Sequence, residues 1–150
     1  MSNLHNPDQL QRLLDEKEIV DTTIAYCWAI DTRQWDVLRD RVFLTDSTAF
    51  LGSPLTGIDA ITDRITKALG MLDTSQHMVS NHQVSIIGDA ATSRCYFQAQ
   101  HVRQAAEGGP NYLVAGIYAD DFVRTKAGWR IQNRKLTVLW TDGNMRVIRR

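Results

Sequence analysis

Between Pro7 and Ile30 apolar residues return every three or four positions: Leu10, Leu13, Leu14, Val20, Ile24 and Cys27, with Asp15, Glu16 and Glu18 between them. That spacing predicts a long amphipathic helix. Asn6 ahead of Pro7 supplies an N-cap and a first-turn proline, and Asp31-Thr32-Arg33-Gln34 predicts a break before a short helix from Trp35 to Arg39. Asp31 then falls at a helix end. Thr48-Ala-Phe-Leu predicts a strand closed by Gly52-Ser53-Pro54, and Ile58, Ile61, Ile65 and Leu69 mark a second helical stripe from about Gly57 to Leu69, with Gly70 as its stop.

Beyond Gly70 the period changes. Segments 76–87, 91–104, 112–125 and 129–141 are rich in Val, Ile, Tyr, Phe and Trp, which predicts extended strands. Gly88-Asp89, Glu107-Gly108-Gly109-Pro110 and Lys126-Ala127-Gly128 separate them as turns, so the strands form an antiparallel meander. A sheet of this kind needs its apolar face covered, and the N-terminal helices are the elements available to cover it. The expected class is α+β, in one domain spanning 1–150.

Composition fits one soluble core: 43% of residues are apolar and 23% charged. With 17 basic and 17 acidic residues there is no net field to favour nucleic acid or an anionic membrane, and Arg146, Arg149 and Arg150 predict a solvated tail. A neutral surface with an exposed sheet face also predicts a homo-oligomer, a dimer or trimer. Cys27 and Cys95 have neither metal-ligand spacing nor the density of a disulfide scaffold, and both are expected as reduced core residues. The segment MSNLHNPDQL lacks a basic region followed by an apolar run, so a cytoplasmic location is expected.

Four polar positions carry candidate catalysis. His77 is the general-base candidate, because imidazole titrates near neutrality and a carboxylate can fix its tautomer; Asp31 is that carboxylate. Tyr26 could donate a hydrogen bond or proton to a substrate oxygen, and Arg134 could stabilise developing negative charge. This set suffices for elimination or isomerisation with no cofactor. The bland readings are that Asp31 caps the following helix and that His77 is a strand or surface histidine.

The remaining histidines are ordered by strand parity. His5 falls in the N-terminal segment, and His82 lies an odd number of positions from His77, which predicts the opposite, outer face. His101 has opposite parity to Tyr96, Gln98 and Gln100, so either it or the glutamines line the pocket. Phe50, Tyr118, Leu136, Val138 and Trp140 are the candidate walls for a small, mostly apolar, cyclic ligand, whereas Trp28, Trp35 and Trp129 are expected in the core or pocket wall. No metal motif or glycine-rich phosphate loop occurs.

Ile24-Ala-Tyr26-Cys-Trp-Ala-Ile-Asp31, Gln34-Trp35-Asp36, Gln76-His77-Met-Val-Ser-Asn81, Gly88-Asp89-Ala90-Ala91, Tyr118-Ala-Asp-Asp-Phe122 and Gly128-Trp129-Arg130-Ile131 together resemble the SnoaL-like branch of the nuclear transport factor 2-like (NTF2-like) superfamily. The resemblance implies a cone-shaped α+β fold with N-terminal helices packed in the concave face of a curved antiparallel sheet. Tyr26, Asp31 and His77 resemble the tyrosine, aspartate and histidine of the scytalone and bile-acid dehydratase group. Asp31, His77 and Arg134 resemble the dyad and pocket arginine of lindane dehydrochlorinase, although Tyr26 stands where that enzyme has lysine, which bears against halide elimination. Near Gln100 the bile-acid enzyme has an acidic residue, and His101 resembles the second histidine of scytalone dehydratase.

The implied activity is a cofactor-free dehydratase-type lyase. Its alternatives are an isomerase or cyclase with the same pocket, a ligand binder without turnover, or an accessory subunit of the dioxygenase β type.

Overall fold

The computed structural model describes residues 6–149, so His5 and Arg150 lie outside the described residues. Helix α1 runs Pro7–Asp31, with the Asn6 side chain accepting from the Asp8 N–H at its start. A turn of π type follows at Leu38–Val42 in place of the expected helix to Arg39, burying Leu38 and Val42. Then come β1 (Phe43–Phe50), β2 (Pro54–Thr56), α2 (Ile58–Leu69), β3 (Thr74–Ile87), β4 (Ala90–Val102), β5 (Asn111–Thr125) and β6 (Gly128–Gly143), with a short 3₁₀ turn at Met145–Val147.

The fold is α+β, with helices packed against a curved, unclosed six-stranded sheet ordered β2-β1-β6-β5-β4-β3. Strands β3 to β6 form the antiparallel meander, and β1 joins the far side of β6 in parallel. This parallel pair is possible because α2 and the intervening chain give β1 and β6 a long connection. Helix α1 lies against β3 and β6, while α2 packs on β1. The core gathers Ile19, Ile30, Leu38, Phe43, Ile61, Phe122, Trp129 and Ile131 between helices and sheet.

Helix α1 is rolled away from its expected stripe. Leu10, Leu13 and Leu14 are exposed, whereas Asp15, Ile19, Thr22, Thr23, Tyr26, Cys27 and Ile30 face the sheet. A carboxylate can take the inward place because its partners wait there. Arg124 Nη1 and Nη2 donate to the two Asp15 oxygens at 2.7 and 2.8 Å, and the Trp129 indole donates at 3.0 Å. An ion pair between a buried carboxylate and a part-exposed guanidinium thus pins the first half of α1 to the β5–β6 hairpin.

Of the tryptophans, Trp129 is in the core and Trp35 packs at its margin, but Trp28 is 68% and Trp140 47% exposed. Trp28 is therefore absent from the core, and Trp140 stands outside the interior. Cys27 and Cys95 are buried free thiols, whose pKa values burial pushes up to about 12 and about 11.

Candidate active site

The last turn of α1 delivers Asp31 to the start of β3. Its Oδ1 lies 2.6 Å from His77 Nδ1, and its Oδ2 accepts the His77 backbone N–H at 2.6 Å. The Ser75 hydroxyl reaches Oδ1 at 2.9 Å. Because β3 is an edge strand, its outer N–H has no strand partner, and the carboxylate takes that donor while it engages the imidazole. Burial alone would raise the Asp31 carboxyl; the bonds from the His77 ring and backbone, the His77 charge and Ser75 together hold it below its ordinary value. An anionic Asp31 can only accept, so His77 Nδ1 carries the hydrogen of this contact.

His101 is the second imidazole. Its ring sits edge-on to His77 with centroids 5.5 Å apart, and its Nδ1–H donates to the Tyr112 carbonyl at 3.1 Å. Burial, with His77 acting in the same direction, lowers its pKa to about 4, so it is neutral at physiological pH. Its Nε2 is therefore an acceptor, not an acid. Beside this group an open depression of about 830 Å³ runs between α1 and β3, lined by Ile24, Cys27, Trp28, Asp31, His77 and Gln100 among others.

Arg134 stands in a separate, closed cluster. It is 0% exposed, its Nε and Nη2 donate to the two Asp120 oxygens at 2.7 Å each, and its guanidinium lies 4.2 Å from both the Tyr26 and Tyr118 rings. Its charge is largely spent on Asp120. Among the described residues Nη1 has no hydrogen-bond partner. Burial would lower the Arg134 pKa, but Asp120 and the two tyrosines more than offset this and hold it charged. Burial raises Tyr26 to about 12 against the pull of Arg134, so the phenol keeps its proton.

The wall residues divide. Tyr118 and Leu136 are register partners on the inner face, and Val138 shares that face but is exposed near its open end. Phe50 and Gln98 are exposed on the outer face, and Trp140 turns outward after a register shift in β6. These three do not share the interior with His77. His101, together with Phe97 and Ala99, takes the inner face of β4; Gln100 is half-buried and its amide donates to the His101 carbonyl at 3.1 Å.

His82 is also inward, against the parity expectation. Asn81 adopts φ 57°, a bulge separates Ser80 from Gln83, and the extra residue returns His82 to the inner face, 2.7 Å from Thr23 Oγ1 on α1. Sequence reasoning also missed Asp120, Ser75 and Arg33. Asp120 carried a readable signal, since Tyr112, Val114, Gly116, Tyr118, Asp120 and Phe122 alternate down one face of β5. A carboxylate in such a file needs a buried partner.

Residues 11–135 match the SnoaL-like domain family. The chain belongs to this family. An uncharacterized protein of Mycobacterium tuberculosis is 37% identical over 127 residues, covering 80% of this chain and 82% of that protein. Among solved structures, a Kribbella flavida protein superposes with a TM-score of 0.84 at 26% identity, covering 91% of this chain and 98% of the other. A candidate scytalone dehydratase from Novosphingobium aromaticivorans gives 0.79 at 22% identity, covering 89% of each chain. A type 2 hexachlorocyclohexane dehydrochlorinase gives 0.79 at 18%, covering 89% of this chain and 91% of that one. These neighbours share the fold of this SnoaL-like chain.

Of the described residues, no three His, Cys, Asp or Glu side chains gather as a metal site, and no helix is long and apolar enough to cross a membrane.

Proposed function

We propose that this SnoaL-like protein is a cofactor-free lyase that dehydrates a small, mostly apolar, cyclic substrate, with His77 as the base. The observation that carries the reading is the His77–Asp31 pair: a buried imidazole with its Nδ1 at 2.6 Å from a carboxylate held anionic. Such a pair leaves Nε2 free to take a proton from carbon, and Asp31 stabilises the imidazolium that forms. The dehydratase and dehydrochlorinase neighbours share the fold and fit an elimination.

In the proposed step His77 Nε2 removes a proton next to a carbonyl, and the electron pair forms the new C=C as the C–O bond to the β-hydroxyl breaks. The protonated His77 then gives that proton to the departing hydroxide to make water, which returns the ring to its starting form. Tyr26 and Arg134, enclosed with Asp120 and Tyr118 behind this site, take no proton in the step. Neutral His101 orients the substrate hydroxyl by accepting its hydrogen bond at Nε2.

The test is a panel of cyclic β-hydroxy ketones, followed by the absorbance of the enone formed. The His77→Ala variant should lose about 10²–10⁴-fold in rate, and Asp31→Asn a similar amount, while binding of the same ketones is largely kept. A folded His77→Ala protein with wild-type turnover refutes the mechanism. Binding of ketones without turnover by the wild-type protein refutes the lyase reading in favour of a ligand carrier.

A further inference from the structure

We infer that Arg33 and Ser75 form a relay that positions Asp31 and, through it, the His77 ring; the inference rests on the dyad proposed above. Helix α1 ends in a Schellman turn: the Gln34 N–H bonds the Ala29 carbonyl at 2.9 Å, and the residue between Thr32 and Gln34 takes the left-handed conformation, φ 62°. Glycine is the usual occupant of that position because any Cβ is crowded there. Here it is Arg33.

An arginine in a place that favours glycine is local strain, and such strain asks for a reason beyond chain reversal. The side chain supplies one. From the left-handed backbone the guanidinium curls back beneath the helix end, where Nη1 donates to the Ile30 carbonyl at 2.5 Å and to Ser75 Oγ at 3.0 Å. Its plane also lies 5.8 Å from the Trp35 ring.

The chemistry of these groups fixes the direction of the chain. A guanidinium has no acceptor, so Ser75 Oγ must accept from Arg33. The one hydroxyl proton of Ser75 is then free for Asp31 Oδ1, 2.9 Å away. That oxygen is the one that also receives His77 Nδ1. The order is Arg33 to Ser75 to Asp31, with His77 entering from the other side, and each donor polarises the next. Ser75 is itself buried at 6% exposure, so water does not replace it readily. Neither residue touches the interior cluster around Arg134; their role is to hold the carboxylate still and charged, with one oxygen facing the imidazole.

The two variants that decide are Ser75→Ala and Arg33→Gly. The second is informative because glycine takes φ 62° without strain, so the fold is retained and its melting temperature holds or rises. On ¹⁵N-labelled protein at about pH 8, above the ordinary imidazole range, long-range proton–nitrogen NMR reports which ring nitrogen of His77 carries the proton. Wild type should show a protonated Nδ1 and a bare Nε2. In both variants the two nitrogens should move toward averaged positions, and Ser75→Thr, which keeps the hydroxyl, should restore the split. An unaltered split in Arg33→Gly overturns the relay, whatever Ser75→Ala does, and if Ser75→Ala fails to fold Arg33→Gly decides alone. Averaged nitrogens in the wild type would instead remove the dyad itself, which is a different failure.

Discussion

Asp15 offers the sharpest test of how α1 is held. Its carboxyl falls from 3.8 to about 2, first through the Arg124 hydrogen bonds, with burial opposing and Trp129 and Gln11 assisting. Each tenfold change in proton affinity is worth about 1.4 kcal/mol, and Arg124 is 32% exposed, so screening reduces the contribution to ~1–2 kcal/mol. The folded state binds this proton less tightly than the unfolded chain does. The stabilisation is therefore complete above the unfolded value near 3.8 and is lost as pH falls through about 2.

The perturbation is Asp15→Asn, which leaves Arg124 facing an amide and should cost about 3 kcal/mol at neutral pH. Other carboxylates also titrate in acid, so the informative quantity is the stability gap between wild type and variant. Urea unfolding followed by tryptophan fluorescence measures it at about pH 6 and about pH 2, and the gap should narrow by ~1–2 kcal/mol between them. A gap that does not narrow refutes the claim that an ionised Asp15 clamps the helix. A double-mutant cycle with Arg124→Gln locates the coupling, which should account for most of the loss.

Arg134→Met should destabilise the fold by about 3–5 kcal/mol by leaving Asp120 charged and alone, and Arg134→Met with Asp120→Leu should recover much of that; equal losses in chemical denaturation would contradict the ion-pair account. Met78, Tyr96 and Trp140 are 55%, 51% and 47% exposed on the outer face of β3, β4 and β6, and we expect this face to bury itself in a dimer or trimer. Sedimentation should show the oligomer at micromolar concentration and Tyr96→Glu should shift it to monomer, whereas a wild-type monomer would count against the interface.

The helices and the meander were legible because their signals are local. Ile58, Ile61, Ile65 and Leu69 repeat on one helical face and are all buried in α2, and each expected turn of the meander sits between the strands it was expected to join. The partnership of β1 with β6 was not legible, since it depends on elements about 85 residues apart, as in the Ser47 hydroxyl bonding the Ile131 carbonyl. The inward roll of α1 escaped for a related reason. Hydropathy ranks Leu13 and Leu14 above Asp15, and only the distant Arg124 and Trp129 make the carboxylate the better inward residue.

The candidate site turns on register, which alternation alone does not carry past a bulge. Along β6 a strict two-residue period from the buried Ile131 would place Asn133 inward and Arg134 outward, yet the shift opposite Asp121 and Phe122 brings Arg134 to face Asp120. A second shift, opposite Ala115 and Gly116, ends the inward file of Arg134, Leu136 and Val138 before Trp140. The bulge in β3 does the same for His82, so every departure from the parity expectation on β3 and β6 has one added residue as its cause. On β4, where the register runs unbroken from Ala90 to Val102, parity left two answers open and the packing of His101 against His77 selects one. Bulges thus shape the interior by re-aiming side chains: without the β6 shift the arginine would point to solvent, and Asp120 would stand unpaired beneath Tyr26.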